Sequence, residues 1–464
     1  MKTVDRTEQV IEPPPTQRSG HRRDLAAAGA GVVLVAAAVF VGRAFDDYGR
    51  VLVVHWPPLL ATWNPHVGPG TWLAPTVAAA VIAYGPVLAD RWPWRSLLLS
   101  GYATALAWVF SLALIDGWER GIAERITTKH EYLRVIGRFD DIGAALRGFN
   151  EHILIGPPGN WPAHVAGHPP GATLTFVLLD RVGLGGGAWA GVWCIVTGAS
   201  AAVALLVALR ALTDEHTARR AAPFVVLAPV AIWAGTSADG YFTAVAAWSV
   251  ALLALAATRT VRSPATAALG AGLLYGLTCY LSYGLTLIAV PLLAVLLFTR
   301  TARPLPLFAL GALVVPVAFT LAGFNWWEAY HLLVERYYQG AGGVRPYSYW
   351  VWANLACTAI AVGPATLAGL RRSTAGAPGA VRALRTGTTT APQRLVLLAS
   401  AALLALLAAD LSGMSKAETE RIWQPFMLWL LPAAALLPAR GRRGWLAAQA
   451  IVALAVNHLL WTGW

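Results

Sequence analysis

Residues 161–186 read WPAHVAGHPPGATLTFVLLDRVGLGG, a His-Pro-Pro-Gly corner followed by a short apolar run. A helix that crosses the hydrocarbon core of a bilayer needs about 20 apolar residues. The run at 171–184 is too short for that, and proline is favoured at the first position of a helix. The stretch therefore predicts a half-length helix that begins at Pro169 and Pro170.

The composition places this short helix in a membrane protein. Hydrophobic residues make up 57% of the 464-residue chain and charged residues only 12%, whereas soluble domains carry about 25% charged residues. Apolar runs near 20 residues recur along the chain. We expect an all-α polytopic membrane protein with about 13 transmembrane helices. We expect residues 1–24 to form a disordered cytoplasmic tail and residues 25–464 to form one transmembrane domain.

The basic residues predict the orientation of the chain. Short segments rich in arginine lie at 91–95, 210–220, 258–262, 299–303, 371–385 and 439–443. Arginine in short loops marks the cytoplasmic side, which accounts for the net charge of +12 without nucleic acid. If residues 171–184 crossed the membrane, the later basic segments would face outward. A re-entrant helix there keeps them inside, and it predicts a cytoplasmic N-terminus, an outward C-terminus and a location in the plasma membrane.

The longest segment between apolar runs, residues 117–170, is predicted to be an outer loop. Its apolar residues recur near helical spacing and are Leu133, Ile136, Ile142, Leu146, Phe149 and Ile153. This spacing predicts one or two amphipathic helices along the membrane surface. Asp140 and Asp141 are adjacent carboxylates on such a helix and repel each other, so we expect one of them to turn inward. Glu131 is a further candidate acid.

Other outward segments add polar side chains to the same face. The candidates are Asp239, Arg345, Lys416, Glu420, Arg421 and, directly after the first span, Asp46 and Asp47. Some of these residues, and His168, also have a purely structural interpretation. Asp46 and Asp47 could be charges at a helix end, His168 could cap the half-length helix, and Lys416 and Arg421 could belong to an ion-pair cluster.

These residues together resemble the GT-C superfamily of membrane glycosyltransferases. The resemblance rests on "FDD" at 139–141, "GHPPG" at 167–171, "LDRVGLGG" at 179–186 and "ERIWQPFMLWLLP" at 420–432. "SADGYFTAVAAWSVALL" at 237–253 is similar to an outward hairpin of that superfamily. The chain resembles, more closely than the superfamily in general, membrane proteins of high-GC actinobacteria. It departs from the pattern by two additional spans ahead of the acidic loop, which leaves Asp46 and Asp47 in competition with the Glu131, Asp140 and Asp141 group.

The resemblance implies an inverting transfer of a sugar from a polyprenyl-phosphate donor to a glycan or glycolipid acceptor of the cell envelope, at the outer face of the bilayer. It implies an acid from Asp140, Asp141 or Glu131 as the base, and phosphate-binding groups from His168, Lys416, Arg421 and Arg345. Asp239, Glu420, Asp46 and Asp47 would line the site.

Two other functional classes stay open from the sequence. A transporter or lipid flippase would also use a broken helix, although no internal repeat is visible and the acids gather at one face. A non-catalytic accessory protein is the second alternative. The three cysteines lie in apolar runs without the spacing of a metal site or a disulfide framework. We expect no cofactor, with a divalent metal left open.

Overall fold

The computed structural model describes residues 15–45, 49–235 and 237–463, and within them the regular secondary structure is helical except for two short strands. The α-helices are α1 (Pro15–Phe45), α2 (Gly70–Arg91), α3 (Trp94–Ala113), α4 (Ile142–Arg147), α5 (Ala163–Gly167), α6 (Pro170–Arg181), α7 (Gly187–Leu212), α8 (Glu215–Val226), α9 (Ala231–Ala234), α10 (Ala238–Thr258), α11 (Pro264–Leu281), α12 (Ala289–Thr299), α13 (Leu305–Leu321), α14 (Trp326–Gln339), α15 (Ala341–Val344), α16 (Tyr347–Thr386), α17 (Ala391–Leu411), α18 (Thr419–Ile422), α19 (Gln424–Met427) and α20 (Arg442–Leu459). The strands are β1 (Ala61–Trp63) and β2 (Leu460–Thr462), which pair antiparallel. The predicted all-α membrane architecture is confirmed.

Eight helices in the described part of the chain are long and apolar enough to cross a bilayer: α1 from Gly20, α2, α3, α7, α10, α11, α16 and α17. A ninth span results if α13 and α14 are counted together, although these two helices meet at an angle of 79°. Shorter apolar helical segments cover Tyr283–Thr299 and Gln424–Leu436. The number of about 13 spans stays a prediction, because the shorter segments fall below the length that a spanning helix needs.

Helix α6 is the predicted half-length helix. Its 12 residues extend only about 18 Å. Just before it, His168 lies 3.1 Å from the hydroxyl of Tyr132, and at its end Arg181 donates to the carbonyl of Phe139 at 2.9 Å. Tyr132 and Phe139 are the two ends of one 3₁₀ helix. Both ends of α6 therefore stay beside the same outer segment, and α6 does not cross the bundle.

The basic segments gather at one end of the bundle, which we call the arginine end. The C-termini of α7, α10, α12 and α16 surround one cavity there. Arg219 donates to the carbonyls of Ala89 and Trp92 at the end of α2, and Arg442 pairs with Asp90. Asp239 begins α10 at the opposite end, about 30 Å away along a 21-residue helix. The segments sort as their charge predicts, and the side of the membrane that each end faces stays a prediction.

The helices of the outer loop are shorter than the one or two amphipathic helices predicted for it. Residues 119–152 form a π turn, three 3₁₀ segments and the six-residue helix α4. Of the apolar residues in the predicted spacing, Leu146, Phe149 and Ile153 are buried, whereas Leu133, Ile136 and Ile142 are half-buried. Asp141 interrupts helical continuity because its side chain caps a new helix by accepting from Ala144 N.

The predicted disordered tail also ends earlier than expected. Helix α1 begins at Pro15, so residues 15–24 are helical. Asp24 is fully buried and pairs with Arg371 and Arg372 of α16. This ion-pair cluster fixes a polar stretch that composition alone assigns to a tail. The remainder of the predicted tail, residues 1–14, lies outside the described residues.

Candidate functional site

The carboxylate of Glu131 pairs with a histidine in the outer loop. Glu131 directly precedes the 3₁₀ helix Tyr132–Phe139, and its Oε1 lies 2.7 Å from Nδ1 of His164 in α5. Glu131 is only 5% exposed. A carboxylate that accepts from Nδ1 fixes the orientation of the imidazole ring. The pair is therefore a buried acid–base unit whose two members come from opposite ends of the outer loop.

His168 occupies the corner between α5 and α6. Its Nδ1 lies 2.8 Å from the carbonyl oxygen of His164 and 3.1 Å from the hydroxyl of Tyr132. Because a carbonyl can only accept, the proton stays on Nδ1 and Nε2 is left as an acceptor. Burial lowers the pKa of His168 to about 4. The ring is therefore neutral at physiological pH.

Arg421 joins the late part of the chain to this corner. Its guanidinium bonds Asp239 in the first turn of α10 and, at 3.2 Å, Glu418. Burial acts to lower the pKa of Arg421, but the carboxylates of Asp239, Glu418 and Glu131 raise it above its ordinary value. Glu131, Asp239 and Arg421 therefore belong to one electrostatic cluster, which we call the carboxylate cluster.

Arg345 and Lys416 are close to Glu418 in the folded chain. Arg345 contacts Glu418 Oε1 at 3.2 Å and donates to the carbonyl of Lys416 at 2.7 Å. The ammonium of Lys416 donates to the carbonyl of Gly342 at 2.8 Å. Burial acts to raise the pKa of Glu418, yet the two guanidiniums of Arg345 and Arg421 hold it below its ordinary value. Arg345 thus contacts Glu418 directly, whereas Lys416 contributes a backbone carbonyl to Arg345.

The backbone beside the cluster is strained. Ala417 and Glu418 both have left-handed φ values, 70° and 63°, which cost non-glycine residues about 1–2 kcal/mol each. The buried side chain of Asn354 holds this turn, because its Nδ2 donates to Ser415 O and Asp410 and its Oδ1 accepts from Ala417 N. Such strain concentrates at functional sites. Here it places Glu418 between two arginines.

Glu420 is fully buried on the other side of this short helix. Its Oε1 accepts from Leu60 N at 3.3 Å. Burial raises its pKa to about 7, so this carboxyl is largely protonated below neutral pH. It lies next to Arg421 in the chain and ties α18 to the loop that follows α1.

The structure separates Asp140 and Asp141 from this cluster. Both are exposed, and Asp141 caps α4 through its contact with Ala144 N at 2.9 Å. The expected inward turn of one carboxylate is wrong, because the segment is not a surface helix that forces the two onto one face. Asp46 and Asp47 lie outside the described residues.

Three residues of the site were missed in the sequence. His164 and Tyr132 bond Glu131 and His168, respectively, and Asn354 holds the strained turn. The spacing of His164 and His168 in "HVAGH" is a signal for a shared helix face. Tyr132 and Asn354 have no comparable signal, because each lies in an ordinary apolar context.

No group of three or more histidine, cysteine, aspartate or glutamate side chains gathers with metal-binding geometry in the part of the chain that the structure describes. Glu131 and His164 are two potential ligands in contact. Asp239 and Glu418 instead bond Arg421. The dependence on a divalent metal therefore stays open to experiment.

No family model matches the chain, and no curated protein matches it. Among solved structures it is similar to the oligosaccharyltransferase of Archaeoglobus fulgidus. The apo crystal structure is 12% identical, covers 80% of this chain and 57% of the archaeal chain, and has a TM-score of 0.49.

Two further structures of that enzyme give similar values. The complex with an inhibitory peptide and a dolichol-phosphate is 13% identical, covers 80% of this chain and 57% of that chain, and has a TM-score of 0.49. The complex with Zn and sulfate is 16% identical over 74% of this chain and 50% of that chain, with a TM-score of 0.44. The chain thus spans little more than half the length of the archaeal protein.

Proposed function

We propose that this chain is an inverting glycosyltransferase of the GT-C type, which moves a sugar from a polyprenyl-phosphate donor to a glycan or glycolipid acceptor of the cell envelope, at the outer face of the plasma membrane. The observation that carries the proposal is the convergence of Glu131, His164 and Arg421 in one buried cluster beside the start of the half-length helix α6. Proton transfer and offset of phosphate charge are the two electrostatic tasks of this reaction.

The reaction is a single displacement at the anomeric carbon. The acceptor oxygen forms a bond to that carbon, the bond to the phosphate oxygen breaks, and the phosphate leaves with the bonding electrons. The acceptor proton passes to a base. We assign this role to Glu131, which is buried against His164, rather than to the exposed Asp140 and Asp141.

Arg421 is the proposed cation for the departing phosphate. A guanidinium has five N–H donors in a planar fork that suits phosphate oxygens. Asp239 and Glu418 hold this fork in place. Arg345 bonds Glu418 and donates to the carbonyl of Lys416. We therefore assign Arg345 the task of balancing the negative charge of Glu418, and Lys416 that of positioning Arg345, rather than direct contact with phosphate.

His168 takes a different role from the phosphate-binding role expected from the sequence. Its neutral ring donates through Nδ1 to His164 O, and the remaining Nε2 can only accept. An acceptor repels phosphate oxygens but pairs with a hydroxyl donor. We assign His168 to a sugar hydroxyl.

An apolar groove offers a place for the lipid chain of the donor. It lies between α1, α16 and α20, has a volume of about 310 Å³, and reaches Pro58 and Leu59. The next residue, Leu60, donates to Glu420. The groove thus ends at Leu59, and the neighbouring residue Leu60 contacts α18, the helix that contains Arg421.

The test measures sugar transfer from labelled polyprenyl-phosphate sugars in membranes that contain the chain. We expect Glu131→Gln to lower the rate by about 10²–10⁴-fold while the protein keeps its elution profile. The matched control, Asp140→Asn with Asp141→Asn, removes two exposed charges and keeps a capping side chain at 141, and we expect it to stay active.

Two outcomes contradict the proposal. Loss of transfer in the Asp140→Asn/Asp141→Asn protein together with an active Glu131→Gln protein would move the base to the aspartates. Lipid or solute movement across vesicles without any sugar transfer would instead indicate the transporter or flippase.

A further inference from the structure

Two segments at the arginine end have nearly the same sequence, and neither takes part in the proposed reaction. They read TRTVR at 258–262 and TRTAR at 299–303. The first begins at the last residue of α10 and the second begins at the last residue of α12. In each, the first arginine is the C-cap of its helix and has a left-handed φ, 56° at Arg259 and 50° at Arg300. Glycine is the residue that this conformation ordinarily selects.

The two segments meet at a pair of adjoining cavities of about 430 and 490 Å³, which share Ala257, Thr299 and Arg300. The first is also lined by Arg394 and the second by Arg259 and Arg303. Gly387 leaves the space that the guanidinium of Arg300 occupies, because a Cβ there would lie 1.9 Å from Nη1. The arginines therefore converge from three different helix ends.

The charge of this pair of cavities is unbalanced. No carboxylate lines either cavity, and none of the four arginines forms an ion pair with a described residue. The surrounding helix C-termini each contribute about half a negative charge. Four helix ends offset only about two of the four positive charges, so a clear positive surplus remains.

The cavities border apolar surface that faces outward from the bundle. Leu307 of α13 lines the second cavity, and α13 exposes Leu310, Leu313 and Val317 beyond it. Free anions need only the positive charge, whereas a phospholipid also needs apolar surface for its chains. Basic pockets between helices on the cytoplasmic side bind anionic head groups in this way.

We propose that the cavities between the TRTVR and TRTAR segments bind the phosphate head group of an anionic phospholipid, whose chains lie along α13. Arg259, Arg300 and Arg303 bond the phosphate oxygens, and the hydroxyl of Thr301, whose oxygen accepts from Arg303 N, donates a further hydrogen bond. The site is distinct from the carboxylate cluster, about 30 Å away along α10, and it does not depend on the proposed transfer reaction.

The test places the purified chain in phosphatidylcholine nanodiscs that contain a trace of fluorescent phosphatidylglycerol, and measures energy transfer from a label at the arginine end. We expect the variant Arg259→Gln/Arg300→Gln/Arg303→Gln to bind this lipid at least about tenfold more weakly, since each arginine near a membrane surface contributes substantially to anionic-lipid affinity. The control Arg382→Gln/Arg385→Gln/Arg440→Gln removes the same charge from exposed positions outside the cavities, and we expect less than about a twofold loss.

Equal loss in the two triple variants would overturn the proposal, because it would indicate general surface attraction. Displacement of the lipid by millimolar inorganic phosphate would also overturn it, since the site would then hold a free anion. If the triple variant does not fold, two other proteins replace it: the triple Arg→Lys variant and the single variant Arg303→Gln. Retention of phosphatidylglycerol by the Arg→Lys protein and partial loss in Arg303→Gln support the site. Loss in the Arg→Lys protein with full retention in Arg303→Gln refutes it.

Discussion

The two ends of the helix bundle use arginine in opposite ways. At the carboxylate cluster Arg421 is buried and bonds Asp239 and Glu418, and beside the cluster Arg345 is buried and also bonds Glu418. At the arginine end, Arg259, Arg300 and Arg303 are exposed and line open cavities. A buried guanidinium needs a partner because desolvation of its charge is costly. An exposed guanidinium is hydrated and can exchange water for a ligand.

The same residue type therefore stabilises the fold at one end of the bundle and is available for ligand binding at the other. The carboxylate cluster is preorganised, because each charged side chain bonds a residue from another segment of the chain. The cavities at the arginine end keep an excess of positive charge. Substitutions should therefore affect stability mainly at the first end and ligand binding mainly at the second.

The largest effect is expected for Arg421→Gln. The change leaves Asp239 buried beside Glu418 without the guanidinium between them, and loss of one partner from a buried pair costs about 3–5 kcal/mol. The apparent free energy of unfolding in detergent should fall by that amount. Arg300→Gln is the matched substitution at the exposed end and should change it by no more than about 0.5 kcal/mol. Similar losses in both proteins would contradict the contrast between the ends.

A smaller, pH-dependent effect on stability is expected for two residues at the carboxylate-cluster end, His168 and Glu420. The folded-state pKa of His168 is about 4, below its ordinary value of about 6.5. The unfolded chain therefore binds the proton first, and the stability from His168 is present above pH 6.5 and is lost as the pH falls toward 4. The loss is at most about 3 kcal/mol. Wild type should lose stability relative to His168→Gln across this window.

Glu420 should show the opposite slope. Its folded-state pKa is raised to about 7 from an ordinary value near 4.3, so its contribution is present below about pH 4.3 and is lost as the pH rises to 7. Wild type should therefore lose stability relative to Glu420→Gln as the pH rises. Unfolding midpoints of the three proteins between pH 4 and 8 check both signs, and parallel curves would contradict both assignments.

The smallest effect on stability is expected at the arginine end. Arg259 has a φ of 56°, so Arg259→Gly should relieve strain and stabilise the protein by about 0.5–1 kcal/mol. Arg262→Gly in the same segment removes the same charge where φ is not left-handed, and it should destabilise by a similar amount. Unfolding midpoints in lipid-free detergent compare the two, and equal shifts would mean that strain at Arg259 is absent.

Much of the architecture was predictable from local patterns. Long apolar runs, basic segments and the prolines ahead of α6 predicted a helical membrane protein, the sorting of loops to two ends and the half-length helix. Each of these properties depends on residues near one another in the chain. Hydropathy and proline geometry act over such short distances, so the sequence contains the signal directly.

The site was predictable only in part. The sequence named His168, Arg421, Asp239 and Glu131, and the structure brings them together. It favoured Asp140 and Asp141, which are exposed, and it missed His164. The choice between these acids depends on whether residues 132–147 form one helix or two short ones, and the cap of α4 at Asp141 decides this. Helical periodicity alone does not show that interruption.

The membrane environment of this protein, the short helix α6 and the end of the bundle at which each charged segment lies follow from the sequence, because hydrophobic length and loop charge are local properties. Which carboxylate is buried, which arginine has a partner and which turn is strained depend on the folded arrangement. Those outcomes depend on contacts between residues such as Asp239 and Arg421, which are 182 positions apart, and desolvation is known only once both partners are in place.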